Sequence, residues 1–441
     1  MTEDFLHYLW KFQYFHQKNL QTQLGEPIEI LKIGTYNTDA GPDFFNSKIK
    51  IGNTVWAGNI EVHINSSDWK KHNHHADKGY DNIILHLVFN DDKIIFRNNG
   101  EPLPTLELKD KIDLFLFEKY QNLIENKYWI PCEKQISEVD KFAINNWLER
   151  LLIERLERKS AAIIETLKLN KNNWQETFYQ HLAKNFGFKL NAAPFELLAK
   201  STPLAYLGKH KNSLTQIEAM LFGQAGMLSP TPSRPKSTGL LVSEREGEKL
   251  PDDYRVQLQK EYLFLKQKFN LTPIDAHLWK FLRLRPVNFP TIRLAQFAQL
   301  IYKSESLFSK VINCSNIDEL YDLFELKTSE YWQTHYLFDK ISPKKIKNFG
   351  KNSVDIILIN TIIPFIFVHG KEKGEEQFCD RAISFLEKIN GENNAIIKNW
   401  KSLKMPVNTA YQTQALLELK HNYCDKKRCL NCNIGNNILK K

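Results

Sequence analysis

Apolar residues recur along this chain at two different spacings, and the change from one to the other limits it to a fold in which a sheet comes first and helices follow. Ile28-Glu29-Ile30-Leu31-Lys32-Ile33 alternates as a strand does. A turn-rich Asn37-Thr38-Asp39-Ala40-Gly41-Pro42-Asp43 leads into a second strand, Phe44 to Ile51, and Gly52-Asn53 marks a hairpin into a third. In that third strand Ile60, Val62 and Ile64 share one face and Glu61 and His63 the other, because side chains alternate. Before the strands, Glu3 to Leu20 carries Phe5, Leu6, Leu9 and Trp10 at helical spacing. After them, Ser66 and Ser67 are placed to cap a short helix, and Ile83 to Phe89 is a nearly unbroken apolar run, the mark of a strand covered on both faces. The expected order is α-β-β-β-α-β.

From Val139 onward the period is helical, beginning with a long amphipathic stretch, Ala143 to Lys168, in which Glu and Arg alternate on the outer face. The expected fold class is α+β, with an N-terminal domain at 1–130, a mainly helical region at 131–415 and a basic, cysteine-containing segment at 416–441. A Pro- and Ser-rich stretch at 229–239 reads as a loop or substrate-facing flap. With 42% hydrophobic and 25% charged residues the chain is not a disordered one, and no run of about 18 apolar residues predicts a membrane span. The start, Met1-Thr2-Glu3-Asp4-Phe5, lacks the basic and apolar regions of a signal peptide, so the expected location is the cytoplasm. A net charge of +9 permits a nucleic-acid partner without requiring one.

Asp43 and Glu61 carry the chemistry. On neighbouring strands two carboxylates can converge on one hard cation, Mg²⁺ or Mn²⁺, which activates a water for attack on a phosphodiester. His63, two residues after Glu61, is placed to orient that water. This pattern resembles the PD-(D/E)xK nuclease superfamily, here through Pro42-Asp43 and Glu61-Val62-His63 in an α-β-β-β-α-β order. The resemblance implies a restriction-endonuclease-like fold and hydrolysis of DNA or RNA. Histidine stands where the superfamily has lysine, and a neutral imidazole does not replace an ammonium. A second reading is therefore a non-catalytic nucleic-acid-binding or scaffold protein. A third is a zinc-dependent hydrolase built on His63, His74 and Asp77, with His72 and His75 nearby, while His86 in its apolar strand reads as a core histidine.

Cys424, Cys429 and Cys432 form a C-x4-C-x2-C pattern that favours metal over disulfide in a reducing compartment. His421 would complete a local zinc site, and Cys132 is the rival fourth ligand. Some PD-(D/E)xK members hold an iron–sulfur cluster with one upstream and three C-terminal cysteines, which implies a [4Fe–4S] cluster here on Cys132, Cys424, Cys429 and Cys432. Lys426, Lys427 and Arg428, and separately Arg283, Arg285 and Arg293, are the expected phosphate contacts. Across its length the chain is similar to a long bacterial family of unknown function, through Leu9-Trp10, Gly41-Pro42-Asp43-Phe44, Ser66-Ser67-Asp68-Trp69, Arg283-Leu284-Arg285-Pro286 and the cysteine tail. That likeness brings no activity with it.

Overall fold

The computed structural model describes residues 1–228 and 252–440, so the expected loop at 229–239 lies outside the described residues. These divide into two compact units, one made of Met1–Glu149 with Leu417–Lys441 and the other of Arg150–Leu416. The expected boundaries at 130/131 and 415/416 shift accordingly. The C-terminal segment does not stand alone, because its apolar residues Leu419, Ile434 and Leu439 are buried in the first unit.

The first unit opens with α1 (Glu3–Phe12), started by the Thr2 hydroxyl and stopped where Gln13 turns left-handed. It is shorter than the expected Glu3 to Leu20, yet it buries Phe5, Leu6, Tyr8, Leu9 and Trp10 as the spacing requires. Six strands follow in one mixed sheet: β1 (Ile28–Lys32), β2 (Thr35–Tyr36), β3 (Phe44–Ile51), β4 (Thr54–Asn65), β5 (Ile83–Asn90) and β6 (Thr105–Glu107). The order is β1-β3-β4-β5-β6, with β2 paired to β3. The β1–β3 and β3–β4 pairs are antiparallel, whereas β4–β5 and β5–β6 are parallel. The parallel step from β4 to β5 runs through the short α2 (Asp68–Lys71) and two 3₁₀ turns. The expected α-β-β-β-α-β series is thus present, with β2 and β6 added. Neither hydroxyl caps α2 as expected; Ser66 Oγ instead donates to Lys93 O at 2.7 Å, which pins the strand-to-helix turn. Both faces of β5 are covered, and Ile83 through Val88 are buried.

Among the described residues the second unit is helical apart from a small hairpin, His335–Leu337 with Lys340–Ile341, that periodicity did not reveal. Its core includes Phe186, Phe195, Phe297, Trp332 and Phe365, all buried with the rings of Phe186 and Phe297 5.0 Å apart. The stretch Lys351–Lys373 is long and apolar enough to cross a membrane, but 72% of its apolar window is buried, which is how a core helix reads.

One carboxyl in this unit gives a stability test. Glu218 is fully buried, its oxygens facing the hydroxyls of Tyr254 and Ser329, and burial pushes its pKa up to about 8. As pH rises past the ordinary carboxyl value of 4.5, the unfolded chain loses this proton while the native state keeps it. Stability is therefore full at acid pH and drains until the folded value is reached, by on the order of 4 kcal/mol. Glu218→Gln keeps the shape and removes the titration. Its urea midpoint should exceed the wild type's above about pH 8 and match it near pH 5, and parallel pH profiles for the two proteins would contradict this.

Candidate active site

Asp43 and Glu61 meet because the register sets Phe44 opposite Ile60. The Asp43 N–H donates to Glu61 Oε2 at 3.3 Å, and the Val62 N–H donates to Asp43 Oδ2 at 2.9 Å. Each carboxylate is thus fixed by the strand that carries the other. A register break between Phe44 and Ser47, with Asn46 in the left-handed region, bends β3 right after Asp43. The turn before it is wired by Asn37, whose amide donates to Asp39 O at 3.0 Å and Pro42 O at 3.1 Å.

The remaining faces of the two carboxylates are lined by imidazoles. His7 Nε2 of α1 lies 3.1 Å from Asp43 Oδ2. His74 Nε2 lies 3.2 Å, and His63 Nε2 3.8 Å, from Glu61 Oε1. His63 Nδ1 is 2.8 Å from His86 Nε2, its neighbour on β5, and His63 Nε2 is 3.1 Å from His72 Nδ1. Trp69 stands edge-on to His63, His74 and His86, and Tyr80 stacks on His74 at 3.9 Å between centroids. Asp77 is not part of this group: its carboxylate accepts the Gly79 N–H at 2.8 Å inside its own turn. The expected zinc trio of His63, His74 and Asp77 is replaced by His63, His72 and His74.

Electrostatics follow from the burial. Burial pushes His63 down to about 2, with the neighbouring imidazoles adding, and His86 down to about 3. Both rings are neutral at any ordinary pH, so His63 does not supply the positive charge of the lysine it stands for. Burial raises the Glu61 pKa, the Asp43 charge raises it further, and His74 pulls against both. Burial opposes a charge on His7, but its contact with Asp43 outweighs that and leaves its pKa raised. Glu3 joins this field, raised by burial and held back by His72 and His7. Sequence reading missed His7 and Glu3. The available signal was a histidine set within the buried run Phe5, Leu6, Tyr8, Leu9, Trp10.

His7 also forms part of the wall of a cleft of about 520 Å³ that Lys11, Tyr36, Lys426, Lys427 and Arg428 help to line. Residues from α1 and from the C-terminal segment thus face one space. Of the expected phosphate contacts, Arg283 and Arg285 are exposed in the second unit. Arg293 is not available: it is 6% exposed, bonded to Gln296, Asn288 and Ser353 and stacked over Phe188 and Phe349, so its charge serves packing.

The cysteines come together from distant parts of the chain. A π-turn, Leu419–Cys424, carries Cys424, and a 3₁₀ turn, Cys429–Asn431, carries Cys429 and is closed by Cys432. Burial raises the pKa of all four sulfurs of Cys132, Cys424, Cys429 and Cys432. Mutual repulsion raises it further for Cys132, Cys424 and Cys429, which places Cys132 among the tail cysteines. Backbone N–H groups of Gly435 and Ile434 and the Trp147 indole favour the Cys432 thiolate. His421 is exposed and turned to Asp425, 3.3 Å away. Among the described residues, only His63, His72 and His74 bring three ligand atoms within 4.8 Å of one another. Among the described residues no three of the cysteine sulfurs all lie within 4.8 Å of one another.

No curated protein and no solved structure matches the chain. A family match runs over residues 3–395, covering the sheet, its histidines and most of the helical unit and ending before the tail cysteines. By that match the chain belongs to the family described as protein of unknown function (DUF2851).

Proposed function

We propose that this protein is a metal-dependent nuclease-like hydrolase of phosphodiester bonds in DNA or RNA. The observation that carries this reading is the basic cleft: Lys11, Lys426, Lys427 and Arg428 line a space whose wall includes His7, the partner of Asp43. A polyanion drawn into that cleft by its phosphates would lie beside the carboxylate pair. Tyr36 offers a ring on which a base can stack.

Asp43 and Glu61 suit a divalent cation, Mg²⁺ or Mn²⁺, since both carboxylates are positioned by backbone N–H groups and keep further lone pairs. When bound, such an ion would lower the pKa of a water and stabilise charge on the phosphate. The chain's own part is to fix the two carboxylates, to screen Asp43 with His7 and to hold the substrate backbone with the lysines. His63 acts by position and not by charge. Cys132, Cys429 and Cys432, all buried, and the half-buried Cys424 would hold a [4Fe–4S] cluster, with the N–H groups facing Cys432 favouring its thiolate. A cluster there would cross-link the segments and add a redox-active centre.

Cleavage of labelled single- and double-stranded DNA and RNA in Mg²⁺ or Mn²⁺ tests the reading. Wild type should cut at least one of them, and Asp43→Ala should not. Equal activity in the two proteins would overturn it. The histidine at position 63, where the superfamily has lysine, favours one alternative, a binding protein without turnover. That alternative expects salt-sensitive retention of nucleic acid with no metal-dependent product.

A further inference from the structure

We infer that His63, His72 and His74, with Glu61 beside them, form a binding site for a single imidazole-preferring transition-metal ion of the zinc class. The inference takes its location from the proposed active site but rests on ligand geometry. Four ligands on a zinc ion, at about 2.0–2.1 Å each, lie about 3.3 Å apart along the edges of a tetrahedron. One imidazole–imidazole edge measures 3.1 Å (His63 Nε2 to His72 Nδ1), and Glu61 Oε1 lies beside the group, 3.2 Å from His74 Nε2 and 3.8 Å from His63 Nε2. All three imidazoles keep a ligand nitrogen within 4.8 Å of the others. A magnesium ion would instead draw on carboxylates and water.

Two further observations separate a metal site from a simple chain of hydrogen-bonded histidines. His74 Nε2 is sealed from solvent and close to Glu61 Oε1, yet has no aligned hydrogen-bond partner. A buried nitrogen left in that state is costly unless a ligand meets its lone pair. The second is the support behind the ligands. His63 is held through Nδ1 by His86, which orients Nε2 toward the site, and Tyr80 fixes the His74 ring by stacking. Metal-binding histidines are commonly held by their second nitrogen in this way. The ligands come from β4 and from the short connection to β5, so the crossover itself is what brings them together.

Titration of the full chain with Co²⁺ and Zn²⁺ reads the site without reference to cleavage. Wild type should bind one cobalt ion with weak visible bands free of thiolate charge transfer, which sets it apart from any cobalt held by the cysteines. His72→Ala, at an exposed position, and His74→Ala should each weaken that binding at least tenfold. His75→Ala, on the exposed neighbour, should bind as wild type does. Equal binding by His72→Ala, His74→Ala and wild type would overturn the inference, as would cobalt bands of thiolate character only. Intact binding without cleavage of any nucleic acid would remove the nuclease reading and leave this site. Cleavage in Mg²⁺ without cobalt or zinc uptake would do the reverse.

Discussion

Glu61→Gln should lower kcat for nucleic-acid cleavage on the order of 10³-fold or more, since loss of a ligand charge that organises a metal and its water removes several kcal/mol of transition-state stabilisation. The same substitution should leave the melting temperature unchanged or raised. The amide oxygen of glutamine can still accept the Asp43 N–H, now received at 3.3 Å, so the strand-to-strand tie survives. A carboxylate that is 5% exposed is an unfavourable group to bury, and its neutral isostere is easier to enclose. Activity and stability should therefore move apart, as they do where a fold carries strain for chemistry. Kinetics on a labelled oligonucleotide beside a thermal melt would show it. Full activity in Glu61→Gln would take this carboxylate out of the reaction, and loss of both activity and folding would reassign it to structure.

Cys132→Ser should remove the iron–sulfur chromophore from anaerobically purified protein, lower the melting temperature of the first unit and weaken nucleic-acid binding together. Cys132 is the one thiol of the four that the tail does not carry, so it is the anchor for the rest. The binding free energy of a metal or cluster held between distant segments is folding free energy for both. Without it, the tail keeps polar ties such as Tyr8 Oη to Asn436 Oδ1 at 2.9 Å, and Lys420 over the Trp129 ring at 5.2 Å. Those are worth about 1 kcal/mol apiece. Lys426, Lys427 and Arg428 would then lose their fixed place on the cleft wall. His421→Ala should change none of these, because its ring faces Asp425. A colourless wild type holding one zinc, lost in His421→Ala and kept in Cys132→Ser, would refute the four-cysteine assignment.

The sheet was legible in the sequence because alternation in Ile28 to Ile33 and the unbroken run at Ile83 to Phe89 are local signals of strand burial. The hairpin at Gly52-Asn53 made it legible that Asp43 and Glu61 lie on adjacent strands, but their exact pairing follows from the one-residue register break between Phe44 and Ser47, which no local signal announces. The histidine group was only half visible. His72 and His74 lie in turns with no period to say where their rings point, and it is the fold of the crossover that brings them to His63. Asp77 misled because a carboxylate beside a histidine looks like a ligand, whereas Asp-x-Gly is also a turn that uses its own side chain. Arg293 misled in the other direction. In the helix Pro290–Lys303, buried along most of its length, aromatic rings and side-chain acceptors satisfy the guanidinium inside.

The split of the first unit has a consequence for the order in which the protein is made. Three of the four basic residues of the cleft wall, Lys426, Lys427 and Arg428, lie in Leu417–Lys441, and this segment leaves the ribosome only after all of Arg150–Leu416. The sheet and its histidines can collapse early, as N-terminal parts of nascent chains do. The groove that would hold a polyanion cannot be finished until much later. On the proposed function, a growing chain would carry the proposed metal ligands with only Lys11 of the basic wall while still attached to the messenger and ribosomal RNA around it, and would complete that wall only once the tail has been made.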